Sequence, residues 1–239
     1  MKLNEEIEYL GKCLFLKRER ILVIGDLHLG YEESLNNSGV FVSRKMFEEV
    51  ISYLDKVFFR TGRVEKVVLL GDVKHGFGNI IRQEWNDVIS LMDYLREKSE
   101  EIIIVKGNHD VILEPIVKKR ECIILKDFYI YEDFCFLHGD RNFEEINNKK
   151  IRYWIMGHGH PAVKIGDGVK VEKYKCYLEG TYEKKKIIIV PSFFEGNLGS
   201  DPRENDLGFA WDFNLNRFKV KVVGEGLEIL DFGELGKIG

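Results

Sequence analysis

One construction constrains this chain more than any other: a continuous apolar run that stops abruptly at a glycine followed by an acidic or imidazole side chain. Ile21, Leu22, Val23 and Ile24 form the first run, and Gly25, Asp26, Leu27 and His28 close it. An unbroken row of aliphatic, mostly β-branched residues reads as a strand buried on both faces. Gly25 allows a sharp turn at its end. In extended chain, residues two apart point the same way, so the Asp26 carboxylate and the His28 imidazole converge on one point. Mixed oxygen and nitrogen donors of this kind suit a divalent cation. The construction recurs: the run 66–70 ends at Gly71 and Asp72, and the run 102–105 leads into Lys106, Gly107, Asn108, His109 and Asp110.

Helical stripes separate these runs. Met46, Phe47, Val50, Ile51, Leu54 and Val57 keep a spacing of three and four, with Ser43 as the expected N-cap. Trp85, Val88, Ile89, Met92 and Leu95 do the same over 82–98. The stretch 29–42 reads as irregular, with turn chemistry at 36–39. Residues 1–19 read as a lead-in with an edge strand at 13–16. Strand, helix, strand, helix, strand, with continuous apolar strands, predicts a parallel sheet between helix layers. Functional groups of such sheets gather beyond the carboxyl ends of strands, where Asp26, Asp72 and Asn108 all fall.

The second half changes character. Short strands are expected at 122–125, 128–131, 135–137, 153–156, 169–178, 186–190, 209–213 and 218–223, forming a second, mostly antiparallel sheet. The polar stretch before 153 reads as helical. No Pro/Ser/Gly-rich linker or internal repeat divides the chain, which predicts a single domain over 1–239.

Charge and composition narrow the function classes. The net charge of −4 argues against a protein that coats nucleic acid through counterion release. Cys13, Cys122, Cys135 and Cys176 are scattered without a Cys-x-x-Cys pair, as reduced core thiols would be. No apolar run approaches the ~18 residues that cross a bilayer. The acidic start of the chain has no apolar segment of a secretory signal, so a cytoplasmic protein is expected.

Six histidines occur, and all except His75 end an apolar strand or sit in the turn after it. Singly, each motif has a bland reading: a Gly-Asp is usually a turn, and a lone His usually a satisfied core or surface residue. Taken in order they read Gly-Asp-Leu-His at 25–28, Gly-Asp at 71–72, Gly-Asn-His-Asp at 107–110, His-Gly-Asp at 138–140 and Gly-His-Gly-His at 157–160. This series resembles the calcineurin-like metallophosphoesterases over positions 25–160. Within them, the segments 26–30 and 71–75 look most like the archaeal phosphoesterases related to the SbcD nuclease subunit, and like phosphoesterases associated with DNA ligases.

The resemblance implies a four-layer α/β/β/α sandwich of two mixed β-sheets flanked by helices. It implies two divalent metal ions, manganese favoured, with iron, zinc or nickel as alternatives. Asp26, His28 and His160 would hold the first ion, and Asn108, His138 and His158 the second, with Asp72 bridging. It further implies attack on phosphorus by a hydroxide between the ions, with His109 as general acid for the leaving alkoxide. Asp110 either orients His109 or caps a helix. The departure from the family pattern is His75, because its protein phosphatases carry an Asp three residues after Gly-Asp. His75 contacts substrate phosphate, assists proton transfer or is a loop histidine without a role.

A phosphodiesterase or nuclease acting on nucleotides or nucleic acid is therefore expected. The alternatives are a small-molecule phosphomonoesterase and a non-catalytic scaffold of the same fold. Softer candidates surround the motifs: Tyr31, Glu32 and Glu33 as cleft lining; Arg44, Arg141 and Arg203 as phosphate clamps; and the loop 195–206 as a rim, with Phe193 and Phe194 either rim or core.

Overall fold

A computed structural model describes residues 6–77, 82–110, 112–117, 122–166 and 170–238. Residues 1–5 of the expected lead-in and Val169 of an expected strand lie outside the described residues.

Six strands form the first sheet in chain order: β1 (Ile7–Leu10), β2 (Cys13–Leu16), β3 (Ile21–Ile24), β4 (Val64–Leu69), β5 (Ser99–Val105) and β6 (Ile123–Lys126). The strands β1, β2 and β3 pair antiparallel, and β3 to β6 run parallel. The edge is thus β1, with 13–16 one strand further in. The run at 122–125, assigned to the second sheet by its short length, instead closes the first one beside β5. The unbroken apolar runs have the expected cause. Leu22, Ile24, Val67, Leu69, Ile102 and Ile104 face the helices, while Ile21, Val23, Val68, Leu70, Ile103 and Val105 alternate with them and face the second sheet.

The helices α2 (Met46–Thr61) and α3 (Arg82–Lys98) cover the outer face of this sheet with Val50, Leu54, Val57, Val88, Leu91 and Leu95. The stretch 29–42, expected to be irregular, contains α1 (Tyr31–Asn37). Ser43 is not the N-cap of α2: the helix begins three residues later, and Glu32 of α1 accepts from the Lys45 and Met46 amides at 2.9 and 3.1 Å. A carboxylate from a neighbouring element does the work of a local cap, which no one-dimensional pattern displays. A single turn, α4 (Glu114–Val117), follows β5.

The second sheet is mixed. Its order is β14 (Ile229–Glu234), β13 (Lys219–Val223), β11 (Val171–Tyr182), β12 (Lys185–Ile189), β9 (Tyr153–Met156), β8 (Phe134–Leu137) and β7 (Phe128–Tyr131), with β10 (Ala162–Gly166) paired to β11. Both β8–β9 and β9–β12 are parallel and the other pairs antiparallel. Phe134, Phe136, Tyr153, Ile155, Tyr177, Ile188 and Val190 pack against the first sheet. The outer face is covered by Ile146, Leu207, Trp211, Phe213 and Phe218. These come from 3-10 turns and irregular chain, so among the described residues this fourth layer holds no α-helix. The segment 209–213, expected as a strand, is therefore a covering segment laid on the sheet. The polar stretch expected to be helical holds only the 3-10 turn Glu144–Asn147.

Candidate metal centre

The motif residues emerge from the carboxyl ends of five strands, three in one sheet and two in the other. Asp26 and His28 follow β3, Asp72 follows β4, Asn108, His109 and Asp110 follow β5, His138 follows β8, and His158 and His160 follow β9. The loops then lock together through main chain. Leu27 and His28 amides donate to the Asp72 carbonyl at 3.1 and 2.8 Å, and Gly157 donates to the His138 carbonyl at 3.0 Å. Side chains add to this: Asp26 accepts from the His158 amide through both oxygens at 3.1 Å, and Asp72 Oδ1 accepts from the His109 amide at 3.0 Å.

The backbone bends hard to achieve this. His28, Asp72, His158 and His160 have φ of 47°, 46°, 63° and 41°, in the left-handed region that non-glycine residues seldom adopt. Such strain persists where surrounding structure over-determines it, and it gathers at functional sites. The glycines serve close approach. A Cβ on Gly107 would run into the Asp72 amide and carboxylate, and one on Gly157 would sit 2.7 Å from Asp26 Oδ2. Gly25, expected as a turn residue, is a glycine for the same reason: its Cβ would lie 2.6 Å from the Pro191 carbonyl oxygen.

Seven donor groups then face one another. His28 Nε2 lies 3.3 Å from His160 Nε2 and 3.7 Å from Asp72 Oδ2. His160 Nε2 is 3.5 Å from Asp26 Oδ1. His138 Nε2 is 3.2 Å from Asn108 Oδ1, 3.1 Å from His158 Nδ1 and 3.5 Å from Asp72 Oδ2. The far side of several rings is already engaged, which sets the tautomer. His138 Nδ1–H donates to the Leu70 carbonyl at 2.7 Å, and His158 Nε2–H donates to the Gly208 carbonyl at 3.1 Å. Each leaves the other ring nitrogen with its lone pair pointed into the cluster, the usual support of a metal-binding imidazole.

The charge distribution asks for a cation. Asp26 and Asp72 are buried. Burial raises the Asp26 carboxyl, but His160, His138 and His28 outweigh it and hold the group below the usual range. Burial, then the charge on Asp26, pushes Asp72 up to about 8. Burial holds His28 down at about 3, so its imidazole is neutral and able to ligate, and its buried Nδ1 has no hydrogen-bond partner. Among the described residues, Asp26, His28 and His160 can reach one ion together, as can Asp26, Asp72 and His138, and as can His28, His75 and His109. Two carboxylates, four imidazoles and one amide fit a divalent metal of the manganese, iron or zinc kind.

His109 stands at the edge. Its Nδ1–H donates to the His75 carbonyl at 2.5 Å and its Nε2 lies 3.8 Å from Asp72 Oδ2. The His75 ring centroid is 5.6 Å away, and His75 Nδ1 is buried without a partner. Asp110 is buried and directed elsewhere: Oδ1 accepts from the Val73 amide and Oδ2 from the Gly107 amide, both at 3.0 Å. It ties the loop after β4 to the loop after β5.

Of the softer candidates, Arg203 is held by Asp201 and by the carbonyls of Lys164 and Ile238, and Arg44 by Glu33. Arg141 pairs with Asp140 at 3.3 Å and lines a cavity of about 430 Å³ beside Asn108. Phe193 is core, whereas Phe194 lays its ring edge on His28 at 5.4 Å between centroids. Two contacts lie outside the sequence reading. Phe77 covers the His109 ring, with centroids 3.6 Å apart, and Gly208 supplies the carbonyl that turns His158. An aromatic two residues beyond His75 was visible as a letter but not as a neighbour of His109.

A model of the calcineurin-like phosphoesterase family matches residues 19–223. The chain belongs to the calcineurin-like phosphoesterase family. The chemistry of this phosphoesterase family is divalent-metal-dependent hydrolysis of phosphoesters, and the Asp and His groups above are able to bind such ions. No curated protein matches the chain. Among solved structures, the phosphoesterase is similar to the nuclease MPE of Pseudomonas putida, at 16% identity over 92% of each chain with a TM-score of 0.60, a likeness of fold. Weaker similarities are to the phosphoesterase Yfce of E. coli (16% identity, 74% of this chain and 82% of that one, TM-score 0.37) and to zinc-bound Vps29 of Entamoeba histolytica (15% identity, 89% and 99%, TM-score 0.37). No helix of the phosphoesterase, among its described residues, is long and apolar enough to cross a membrane.

Proposed function

We propose that this chain is a dinuclear-metal phosphodiesterase acting on nucleotides or nucleic acid. The observation that carries the reading is the convergence of seven donor groups from both sheets beside one histidine, His109, whose ring is held at Nδ1 and open at Nε2. Asp26, His28 and His160 would hold one ion, Asn108, His138 and His158 would hold the other, and Asp72 would serve both. Divalent ions, when bound, supply Lewis-acid charge to the phosphoryl oxygens and a nucleophile at neutral pH.

The remaining work falls to the protein. In its imidazolium form, held by Nδ1–H on the His75 carbonyl, His109 hands the Nε2 proton to the departing oxygen; burial keeps its pKa below the ordinary histidine value, which makes that cation a stronger acid and the minor form at neutral pH. His75 is a positioning residue that acts through its carbonyl on the His109 ring. Asp110 is a second one, holding the loops of Asp72 and Asn108 in register.

Diester over monoester chemistry is favoured by position 75. A histidine there, kept neutral by burial and by His109, supplies no fixed negative charge to the acid. The segments 26–30 and 71–75 also resemble those of SbcD-related phosphoesterases. The deciding assay loads metal-stripped protein with Mn²⁺ and compares bis-p-nitrophenyl phosphate with p-nitrophenyl phosphate. Faster diester hydrolysis is the expected result. Preference for the monoester would overturn the diesterase reading, and no turnover of either would leave a non-catalytic member of the fold.

A further inference from the structure

Phe77 is 62% exposed although its neighbour in the loop, His75, is partly buried. One face of the Phe77 ring rests on His109, with 3.6 Å between centroids and 35° between planes. Exposed phenylalanines occur elsewhere, at Phe41 and Phe59. Phe77 differs in what lies beneath it, because His109 is the residue assigned to protonate the departing oxygen. More aromatic surface stands on the same side of the centre: Tyr31 meets His75 edge-on at 5.0 Å and Phe194 at 4.8 Å, and Phe194 meets His28.

The geometry fixes where a leaving group must lie. A general acid works only within hydrogen-bond reach of the oxygen it protonates. The departing alcohol is therefore bound against His109, and the next part of that molecule extends across the rim that Phe77 forms. A flat, apolar, solvent-facing ring continues the stack begun by His109 and offers a planar heterocycle the only kind of contact every base can make, through its π-face. The cavity beside Asn108 is lined by Asp127, Asp140 and Glu114 with Lys106 and Arg141, whose charges pair with Asp127 and Asp140, so among the described residues it offers no unpaired cation to a further phosphate.

We propose that Phe77 is a specificity-determining residue that stacks on the nucleobase of the leaving nucleoside, so that the enzyme selects phosphodiesters whose leaving alcohol carries a base. The proposal rests on the phosphodiesterase reading above. Stacking on an aromatic side chain affects binding more than proton transfer, and its loss from a single base is worth about ten-fold or more in affinity. The effect belongs mainly in KM.

The test uses the full chain loaded with Mn²⁺ and three dinucleotide analogues: one with both bases, and two in which either the 3′ or the 5′ sugar is abasic. Bis-p-nitrophenyl phosphate serves as the independent check on diester hydrolysis. In the wild type, removing the base from the leaving sugar should raise KM about ten-fold and removing the other base should not. Phe77→Ala should bring the base-to-abasic ratio of kcat/KM close to one, and Phe77→Trp should restore it. Equal use of all three dinucleotides by a wild type that cleaves bis-p-nitrophenyl phosphate overturns the stacking role and leaves the diesterase reading standing. An equal loss on all three in Phe77→Ala also overturns it, and would make Phe77 a shield over His109. A wild type inactive on every diester overturns both.

Discussion

His109 receives its orientation from a main-chain carbonyl, so the group that turns it survives any change of side chain at position 75. Replacing His109 with Ala should lower kcat about 10²- to 10⁴-fold on a dinucleotide, the range of a single general acid. The loss should shrink on p-nitrophenyl esters, whose anions leave without a proton, and metal content measured by mass spectrometry should hold. An unchanged dinucleotide kcat would remove His109 from the reaction. The residues of the centre were legible in the sequence because each is a polar letter at the end of an apolar run. What escaped were partners that contribute no distinctive side chain: the Gly208 carbonyl behind His158, the Leu70 carbonyl behind His138, and the Pro191 carbonyl that requires Gly25.

At the scale of elements, the helix over Arg82–Lys98 and the parallel strands β3 to β5 could be read directly, the helix from its periodic apolar stripe and the strands from their unbroken buried runs. The start of α2 could not, because its cap comes from Glu32 of α1. Glu32→Ala should therefore cost roughly 1 kcal/mol in urea unfolding, the typical value of an N-cap, and Ser43→Ala should cost close to nothing. The loop after β12 has its own fastening. Lys175 is buried, and its ammonium donates to the Phe194 and Asn197 carbonyls at 2.6 and 2.9 Å, which seats Phe194 against His28. Lys12 holds the same loop through Glu195 and the Phe193 carbonyl. Burial pulls the Lys175 amine down to about 8. Between that value and the unfolded value near 10.4, the unfolded chain binds more protons than the folded one, so stability rises with pH across that window. The contribution is at most about 3 kcal/mol, at ~1.4 kcal/mol per unit. Lys175→Met should flatten the rise of Tm between pH 8 and 10 relative to wild type. Parallel curves for the two proteins would place the titration elsewhere.

For the whole molecule, the centre joins two sheets that otherwise meet through a mostly apolar seam, with polar ties from Tyr9 to Glu179 and from Tyr177 to the Gly11 carbonyl, both at 2.9 Å. Asp26, Asp72 and Asn108 belong to the first sheet and His138, His158 and His160 to the second, so an ion held by these residues would tie the two sheets together. Ligand that binds only the folded state stabilises it by mass action, about 2.7 kcal/mol per site at a hundredfold excess over Kd. Mn²⁺ should therefore raise Tm by several degrees and a chelator should reverse the change, with the metal-dependent part lost in Asp72→Asn. A Tm indifferent to metal would mean that the donors do not share an ion. The sandwich itself was legible from its buried runs. Its fourth layer was not, because the segment bearing Trp211 and Phe213, expected as a strand, is irregular chain laid with Leu207 on the sheet, and such cover has no period.

The left-handed backbone at His28, Asp72, His158 and His160 has a bearing on how this chain can drift. Each of these positions serves two masters, a donor atom and a turn, and only a few residue types tolerate the turn. A descendant that abandoned the chemistry could not simply fill these sites with aliphatic residues, since β-branched side chains resist that conformation. Asparagine or glycine would be the accessible replacements. Relics of the centre would therefore outlast its activity as a set of small or polar letters at the same four places.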